Sequence, residues 1–296
     1  MLSICIPVYN FPIETLTLDL KAQMQQLDVP IELVLIDDAS SNFSQSQNKN
    51  AFYLADKFVP LQNNVGRAKI RNLFLEHARF PFLLFLDCDA KIHRTHFLQE
   101  YVQFLLQNET AKVVCGGRVY PEKLPSESQA LRWHYGWRKE SRNAKLRSLE
   151  PHRSFMTNNF LIHRSVFQNV RFDEQITKYG HEDTLFGFEL SKLKYQIHHI
   201  ENPVMNDDIE TNEVFLQKTE AGLENLRYLY QRFRNDRIFI QNIKILSTYH
   251  RFQSTKTTFL LRCMDFFIGK ILRRSLEKKC TSMLVFDLYK LLYLSR

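Results

Sequence analysis

Acidic residues stand at three places where this sequence could do chemistry. Asp87 and Asp89 flank a cysteine directly after the apolar run 82–86. Two carboxylates one residue apart at a strand end can converge on a hard divalent cation, which takes oxygen ligands. Such an ion would neutralise a diphosphate leaving group. The pattern also fits solvated loop acids, although acids that end a buried strand need a partner.

The other two acidic pairs also allow a structural and a chemical interpretation. Asp37 and Asp38 close a second apolar run, where aspartate favours turns and helix caps or accepts hydrogen bonds from a base or ribose. Glu182 and Asp183 open an amphipathic segment, where acids complement the helix dipole. A carboxylate there can also be a general base, which removes the proton of an attacking hydroxyl.

Alternating strands and helices predict how these acids are positioned. Apolar runs at 2–7, 31–36, 82–86 and 113–115 predict strands, and helical spacing of apolar residues predicts helices between them. This alternation is typical of an α/β fold with a mostly parallel sheet and helices on its faces. Ligands bind beyond the carboxyl ends of such strands, and both aspartate pairs fall there.

The remaining chain changes character twice. Prolines, serines and an aromatic segment at 120–153 predict a long polar loop that chooses the acceptor. A further strand is predicted at 157–162, and residues 235–296 are predicted to be helical, amphipathic and basic. We therefore expect a catalytic domain at 1–224 and a basic amphipathic helical extension at 225–296.

Composition restricts the class of protein. The 296 residues are 44% hydrophobic and 24% charged, which is typical of a folded chain and not of a disordered one. No apolar run is long enough to span a bilayer as a helix, and the first residues lack the basic segment of a secretion signal. Five scattered cysteines suit free thiols in a reducing compartment. We expect a cytoplasmic protein.

The net charge of +8 belongs to the end of the chain. Residues 1–224 hold 28 acidic and 25 basic side chains, a net charge of −3, whereas residues 225–296 hold 4 and 15, a net charge of +11. The acidic body argues against a nucleic-acid-binding body, whereas on charge alone the basic end suits a membrane surface or nucleic acid equally well. Apolar stripes flanked by cations at 235–296 predict helices packed on the catalytic domain, or peripheral attachment to an anionic membrane surface on its inner face.

Several common catalytic signatures are absent from the sequence. There is no GxG turn, P-loop, GxSxG, HExxH or paired CxxC. Dinucleotide-binding, P-loop, serine-hydrolase and zinc sites of the usual kinds are therefore excluded, although the predicted sheet is of a nucleotide-binding type.

Five short motifs, in this order, resemble the family 2 glycosyltransferases with the GT-A fold. They are Pro7-Val8-Tyr9-Asn10, Ile36-Asp37-Asp38-Ala39-Ser40, Asn64-Val65-Gly66-Arg67-Ala68-Lys69-Ile70-Arg71-Asn72, Leu86-Asp87-Cys88-Asp89 (a DxD motif) and His181-Glu182-Asp183. The segment 179–187 is also similar to the Gly-Glu-Asp region of galactosyltransferase-type enzymes. The resemblance covers residues 1 to about 230 and implies a Rossmann-like, mostly parallel sheet that binds a nucleotide sugar.

The resemblance implies a nucleotide-sugar-binding role for the first two motifs. Pro7, Tyr9 and Asn10 would wall the nucleobase, with the Tyr9 ring stacked on it. Asp38 would hydrogen-bond the uracil ring, with Asp37 as the alternative partner.

The third and fourth motifs would bind the diphosphate and a metal ion. Arg71 and Arg67 would face the diphosphate. Asp89 would coordinate Mn²⁺ or Mg²⁺, and Asp87 would contact the ribose or the metal. Similar enzymes often supply a histidine as a further ligand, but Asn206 stands there in this sequence. Asn206 or Asp207 would supply an oxygen to the ion instead.

The last motif would supply the catalytic base. Asp183, beside Glu182, would deprotonate the acceptor hydroxyl for in-line attack at the anomeric carbon, and one displacement inverts the configuration. Asn158 and Asn159 would hold the donor sugar or the acceptor, and their simpler explanation is turn chemistry. His198 and His199 are nearby candidates for the metal, although two histidines within a strand are more often structural.

We therefore expect an inverting, metal-dependent hexosyl- or N-acetylhexosaminyltransferase of polysaccharide biosynthesis. It would transfer a sugar from a UDP-sugar to a hydroxyl of a glycan or lipid-linked glycan acceptor. A sugar-1-phosphate nucleotidyltransferase has a related sheet but needs a Gly- and Arg-rich loop after the first strand, unlike the segment 9–12. A non-catalytic glycan- or membrane-binding protein with the same fold is favoured by Asn206 and opposed by Asp89 and Asp183.

Overall fold

The computed structural model describes residues 1–253 and 255–296 and contains a seven-stranded sheet with a separate two-stranded pair. The strands are β1 Leu2–Val8, β2 Ile31–Asp37, β3 Lys57–Pro60, β4 Phe82–Leu86, β5 Val113–Cys115, β6 Arg118–Val119, β7 Asn159–His163, β8 His198–His199 and β9 Val204–Met205. The large sheet has the order β3-β2-β1-β4-β7-β5-β8, and β6 pairs with β9. Within the seven-stranded sheet, β7 runs antiparallel to its neighbours β4 and β5, and the other neighbouring strands are parallel. The predicted mostly parallel α/β sheet is therefore confirmed.

Helices follow most strands and fill the end of the chain. They are α1 Glu14–Met24, α2 Asn42–Gln47, α3 Lys49–Leu54, α4 Arg67–His77, α5 Phe97–Gln107, α6 Ala130–Tyr135, α7 Ala144–Ser148, α8 Arg164–Asn169, α9 Glu182–Lys192, α10 Asn212–Arg232, α11 Arg237–Asn242, α12 Lys244–Arg251, α13 Thr255–Met264, α14 Lys270–Lys278 and α15 Met283–Leu294. A 3₁₀ turn spans Glu127–Gln129, and π-helical turns span Gly136–Glu140 and Asp265–Gly269.

Two apolar clusters hold the sheet because its central strands are buried on both faces. Ile4 and Leu33 belong to one cluster, whereas the adjacent Cys5 and Val34 belong to the other. Successive side chains of a strand point to opposite faces, so each strand contributes to both clusters. This explains the continuous apolar runs at β1, β2 and β4, which end only where the polar site residues begin.

The chain forms two compact units. The sheet unit comprises Met1–Tyr120, Glu140–Gln175 and Glu182–Asp208. The helical unit comprises Pro121–Lys139, Ile176–His181 and Ile209–Arg296. The boundary predicted at residue 224 falls inside α10.

The helical unit has an apolar core of its own. Leu131, Leu216, Leu276 and Phe286 are buried in one cluster that includes residues of α6, α10, α14 and α15. Within the same unit, the Glu220 carboxylate accepts hydrogen bonds from Arg273 at 2.8 Å and from Tyr289 at 2.5 Å. The prediction of helices at 235–296 is confirmed in the described part of the chain.

The prediction of a long polar loop at 120–153 is wrong. This segment contains α6 and α7 as well as the 3₁₀ turn and a π-helical turn. Its helical signal is short: Leu131 and Tyr135, four residues apart, pack in the core of the helical unit. Trp133 and Trp137 both donate from Nε1 to the Pro121 carbonyl, at 2.8 and 2.9 Å. Aromatic anchors therefore stabilise helices where prolines and serines favoured a loop.

Across residues 1–253 and 255–296, none of the helices combines the length and the apolar character that a membrane crossing requires.

Candidate active site

Asp38 fixes the turn that leads into α4. Its Oδ1 accepts a hydrogen bond from the Val65 amide at 2.7 Å, and its Oδ2 accepts one from the Gly66 amide at 3.1 Å. Gly66 has φ +83°, a left-handed conformation that glycine adopts without steric cost. Burial raises the pKa of Asp38, and the two amide hydrogen bonds oppose this shift. Asp38 thus connects the end of β2 to the start of α4.

Asp37 is the more deeply buried member of this pair. Its Oδ2 accepts hydrogen bonds from the Ser40 amide and from Gln45 Nε2, both at 3.1 Å. Its Oδ1 is buried and has no hydrogen-bond partner in the described part of the chain. A buried oxygen of this kind is costly unless it is paired.

The segment after β1 lies beside this pair. The Asn10 backbone is left-handed, with φ +48°, and its amide donates to Ser40 Oγ at 2.9 Å. Asn10 Oδ1 accepts from the Ser41 amide at 2.8 Å. Tyr9 remains 51% exposed, and Pro7 is half-buried. The predicted wall of the nucleobase therefore lies next to the predicted partner of the base.

A buried arginine joins two of the acidic motifs. Arg71, on α4 and 2% exposed, donates from Nη2 to Asp87 Oδ1 at 2.7 Å. Its Nη1 lies 3.9 Å from Glu182 Oε1, and Nη1 of the half-exposed Arg67 lies 3.7 Å from the same oxygen. The end of β4 and the start of α9 therefore meet at one cation, although nothing in the sequence connects 87 with 182.

Asp87 and Asp89 have opposite electrostatic environments. Burial works to raise the pKa of Asp87, but the positive charges of Arg71, Arg67 and Arg118 outweigh it and hold that pKa below its usual value. Burial and the adjacent charge of Asp87 instead raise the pKa of Asp89. Asp87 is thus readily ionised, whereas ionisation of Asp89 is opposed by the negative charge of Asp87. A bound cation would relieve this repulsion between the two carboxylates.

Asn206 lies beside Asp89. It is 5% exposed, its amide nitrogen donates to Asp89 Oδ2 at 2.9 Å, and its main-chain amide donates to the Val119 carbonyl at 2.9 Å. Two carboxylates and an amide are the oxygen donors that Mg²⁺ and Mn²⁺ accept. Within the described residues, no three His, Cys, Asp or Glu side chains are grouped to hold a metal. The set here consists of two carboxylates, from Asp87 and Asp89, and the amide of Asn206, and its oxygen chemistry is what fits a cation.

His199 is engaged elsewhere. Its Nδ1 lies 2.9 Å from Arg147 Nη1, and its Nε2 lies 3.0 Å from the Pro151 carbonyl. Burial lowers the pKa of His199 to about 4. These contacts agree with the structural interpretation of His199.

The two neighbouring asparagines differ sharply in their contacts. Asn159 Oδ1 accepts from Tyr101 at 2.6 Å, and its Nδ2 donates to the carbonyls of Gly117 and Asn202 at 3.0 and 2.9 Å. Asn158 is 4% exposed, yet its Oδ1 and Nδ2 have no partner among the described residues. A buried unpaired amide is destabilising, so the two neighbouring side chains differ in whether their polar groups are satisfied within the chain.

Asp183 has the electrostatic character of a base. Its Oδ1 accepts from the Thr184 amide at 2.7 Å. Burial, reinforced by the negative charge of Glu182, raises the pKa of Asp183 to about 7. Glu182 itself is 5% exposed, and its Oε2 has no hydrogen-bond partner among residues that the structure describes. A carboxylate that titrates near neutrality can remove a proton efficiently.

Two further arginines, Arg118 and Arg147, were not predicted as functional residues from the sequence. The positive charge of Arg118, on β6, helps to hold the pKa of Asp87 below its usual value and partly opposes the rise in the pKa of Asp89. Its guanidinium also lies 3.3 Å from a Glu140 oxygen. Arg147 is 1% exposed and donates to the carbonyls of Cys115, Gly116 and Ile200. No motif marks either residue. The only signal for Arg118 is a cation shortly after a predicted strand.

Comparison with known proteins identifies the family. The family model described as "Glycosyl transferase family 2" matches residues 3–171, more than half of the chain. The chain belongs to glycosyl transferase family 2. The resemblance that the five motifs predicted is therefore confirmed.

Solved structures confirm the GT-A fold of this family 2 member. A mannosyltransferase from Pyrobaculum calidifontis, in complex with GDP-Man and Mn²⁺, is 14% identical, with a TM-score of 0.58 over 99% of this chain and 85% of that chain. The glucosyl-3-phosphoglycerate synthase of Mycobacterium tuberculosis, in complex with Mn²⁺, UDP and glucosyl-3-phosphoglycerate, is also 14% identical. Its TM-score is 0.51 over 78% of this chain and 79% of that chain.

Similarity in sequence extends to a teichoic acid polymerase. A teichoic acid poly(glycerol phosphate) polymerase of Staphylococcus epidermidis is 25% identical over 204 residues, which cover 66% of this chain and 26% of that protein. The chain spans less than half the length of the curated relatives that it matches.

The Arg71 bridge can be tested in this family 2 chain by comparing Arg71→Gln with Arg67→Gln. Removing Arg71 leaves Asp87 and the buried Glu182 without their shared cation, so we expect the free energy of unfolding to fall by about 3 kcal/mol. Arg67 is half exposed, and its replacement should cost no more than about 1 kcal/mol. Chemical denaturation followed by circular dichroism measures both, and equal losses would show that Arg71 does not bridge the site.

Proposed function

We propose that this protein is an inverting, metal-dependent glycosyltransferase that transfers a sugar from a UDP-sugar to a hydroxyl of a glycan or lipid-linked glycan. The observation that carries the proposal is the contact of Arg71 with both Asp87 and Glu182. It brings the acidic motif after β4 to the helix start that holds Asp183. A site for a donor diphosphate and a base for an acceptor thus lie in one region of the sheet unit.

The base is Asp183. With a pKa near 7, its carboxylate can accept the proton of the acceptor hydroxyl while that oxygen attacks the anomeric carbon. The bond from that carbon to the nucleoside diphosphate breaks as the new one forms, and this single displacement inverts the configuration. Glu182 is a positioning residue, since its negative charge raises the pKa of Asp183.

The donor nucleotide binds beyond β1 and β2. Tyr9, half exposed, stacks on the base between Pro7 and Asn10. Each Asp38 oxygen accepts one main-chain hydrogen bond and keeps a lone pair for the base, and the unpaired oxygen of Asp37 is the alternative acceptor.

The donor sugar and its diphosphate lie further along the strand ends. Arg67 and Arg71 supply positive charge for the diphosphate. Asn158 is the better candidate for contact with the sugar, because its buried amide has no partner in the described chain, whereas the three contacts of Asn159 favour a supporting role.

Asp89, Asp87 and Asn206 would hold Mn²⁺ or Mg²⁺. The ion, when bound, supplies positive charge that neutralises the leaving diphosphate. The repulsion that raises the pKa of Asp89 supports a cation here, and so does the Mn²⁺ in both solved relatives.

The sugar and the acceptor are proposed from the relatives. The polymerase from Staphylococcus epidermidis supports a role in polysaccharide biosynthesis, with the present chain as a hexosyl- or N-acetylhexosaminyltransferase. Of the two solved relatives, one binds UDP and the other GDP-Man, and the acidic pair Asp37 and Asp38 is our reason to choose UDP.

We place the protein in the cytoplasm, at the inner face of the membrane. Phe259, Phe266, Phe267 and Ile271, on the helical segment from α13 to α14, expose between 63% and 79% of their surface. Exposed apolar residues with nearby cations such as Lys270 fit a helix that lies in the interface of an anionic leaflet.

Replacement of Asp183 by Asn tests the base. The amide keeps the shape and an oxygen for the Thr184 hydrogen bond but cannot take the proton, so kcat should fall about 100- to 10,000-fold. Binding of UDP, measured by calorimetry, should stay within about threefold of wild type. Unchanged turnover would remove Asp183 as the base.

The pH dependence of turnover follows from the same residue. Asp183 must be ionised, so kcat should rise through a pKa of about 7 and level off above it. Because its raised pKa makes the ionised form costly, Asp183→Asn should be at least as stable as wild type above that pH. A flat wild-type profile between about pH 6 and pH 8 would contradict the assignment.

Thermal-shift titration with UDP, GDP and CDP tests the donor and the metal. A ligand that binds only the folded state raises the unfolding midpoint, so UDP with Mn²⁺ should raise it most. Asp89→Ala should abolish the part of this rise in the unfolding midpoint that depends on Mn²⁺. A larger shift with GDP would change the donor class, and no shift with any nucleotide would favour a non-catalytic binding protein.

Vesicle sedimentation tests the membrane surface. Serine at both Phe266 and Phe267 should weaken binding to phosphatidylglycerol vesicles at least about tenfold, because two phenyl rings no longer enter the bilayer. Phe43→Ser is the matched control, since Phe43 is 72% exposed but lies on α2 in the sheet unit. Failure of the wild-type protein to sediment with these vesicles would refute peripheral attachment.

A further inference from the structure

A cavity lined by arginines lies within the helical unit. Its volume is about 420 Å³, and Arg227, Arg234, Arg262 and Arg296 contribute to its wall with Tyr230 and other polar residues. All of its lining residues lie between 227 and 296, on or next to α10, α12, α13 and α15. None of the lining residues is acidic.

Part of the positive charge of this cavity is uncompensated. Arg296 is paired with Asp265 through hydrogen bonds of 2.7 and 2.9 Å. In the described part of the chain, Arg227, Arg234 and Arg262 form no ion pair with a carboxylate. The charge of Arg227 contributes to the lowered pKa of Glu224, after hydrogen bonds from Lys178 and Tyr293, and is therefore partly compensated. Arg234 and Arg262 border the cavity without a carboxylate partner in the described part of the chain.

Two of these arginines donate hydrogen bonds to the main chain and keep further N–H groups free to donate. Arg227 Nη2 donates to the Tyr293 carbonyl at 3.0 Å, and Arg262 Nε donates to the Ser295 carbonyl at 2.9 Å. They thereby satisfy carbonyls at the end of α15, where cations are favourable. Each guanidinium has five N–H groups, so most remain for another acceptor.

Capping of α15 does not explain the cavity itself. Arg234 makes no such capping contact, and it and Arg262 are exposed, so the cavity opens to solvent and a ligand can reach its guanidinium groups. A space of this size is within the range of small-molecule sites and can hold a phosphate group with an attached sugar or polyol.

We propose that this cavity binds the phosphate group of a phosphomonoester or phosphodiester ligand. Guanidinium groups match the tetrahedral oxygens of phosphate through paired N–H donors and remain charged at every physiological pH. The proposal is independent of glycosyl transfer, since every residue that carries it belongs to the helical unit.

Isothermal titration calorimetry with inorganic phosphate tests the site in the full-length chain. EDTA removes divalent metals, and sodium chloride keeps the ionic strength constant. Arg234→Gln and Arg262→Gln should each weaken phosphate binding about tenfold, because each removes a charge-assisted hydrogen bond. Arg274→Gln is the matched control: it removes an exposed arginine of α14 outside the cavity and should leave the affinity unchanged.

Two further arms distinguish the source of the phosphate. If the ligand is a lipid headgroup, Arg234→Gln should also weaken binding to phosphatidylglycerol vesicles; if it is a soluble phosphate ester, glycerol phosphate should compete with inorganic phosphate while vesicle binding stays unchanged. Either result supports the site. Phosphate binding that is absent in wild type, or equally strong in Arg234→Gln and Arg262→Gln, overturns it. Arg234 makes no ion pair among the described residues, so its replacement should not impair folding.

Discussion

The site depends on one buried cation shared by two carboxylates. Arg71 is almost inaccessible, and it contacts Asp87 at the end of β4 and Glu182 at the start of α9. Taking a guanidinium out of water is costly unless carboxylates and good geometry compensate it. The contact therefore constrains where α9 can begin relative to the sheet, and Asp183 is positioned as a result.

The same arrangement distributes charge unevenly across the site. Arginines 67, 71 and 118 lower the pKa of Asp87, whereas Asp183, next to Glu182, has a pKa raised to about 7. Two carboxylates of one site thus have different protonation behaviour near neutral pH, and this suits one for binding a cation and the other for accepting a proton. Burial is common to both, and the difference lies in whether the nearest strong charge is positive or negative.

Much of this architecture could be predicted from the sequence. Unbroken apolar runs such as 82–86 indicated buried strands, and the acids that follow them indicated the edge of the sheet where ligands bind. The roles of individual polar residues were harder to predict, because they depend on partners far away in the chain. Asn158 and Asn159 look equivalent in sequence, but only Asn159 is fully hydrogen-bonded.

The same limit explains the other differences between sequence and structure. The pairing of Arg71 with Glu182 across 111 positions has no local signature in the sequence. The segment 120–153 was expected to be a loop because prolines and serines are turn formers, whereas two tryptophans that donate to the Pro121 carbonyl anchor short helices there. Tertiary contacts decided the outcome in both cases.

The antiparallel strand β7 has a consequence for how this site can change. Leu86 of β4 pairs with Asn159, and the Asp87 amide donates to the Asn158 carbonyl at 3.2 Å. Since alternate residues of a strand point to opposite faces, inserting or deleting a single residue within β7 would exchange the two amides. Both buried amides would then lose their present surroundings. Within β7 the strand can therefore vary by substitution but not in length.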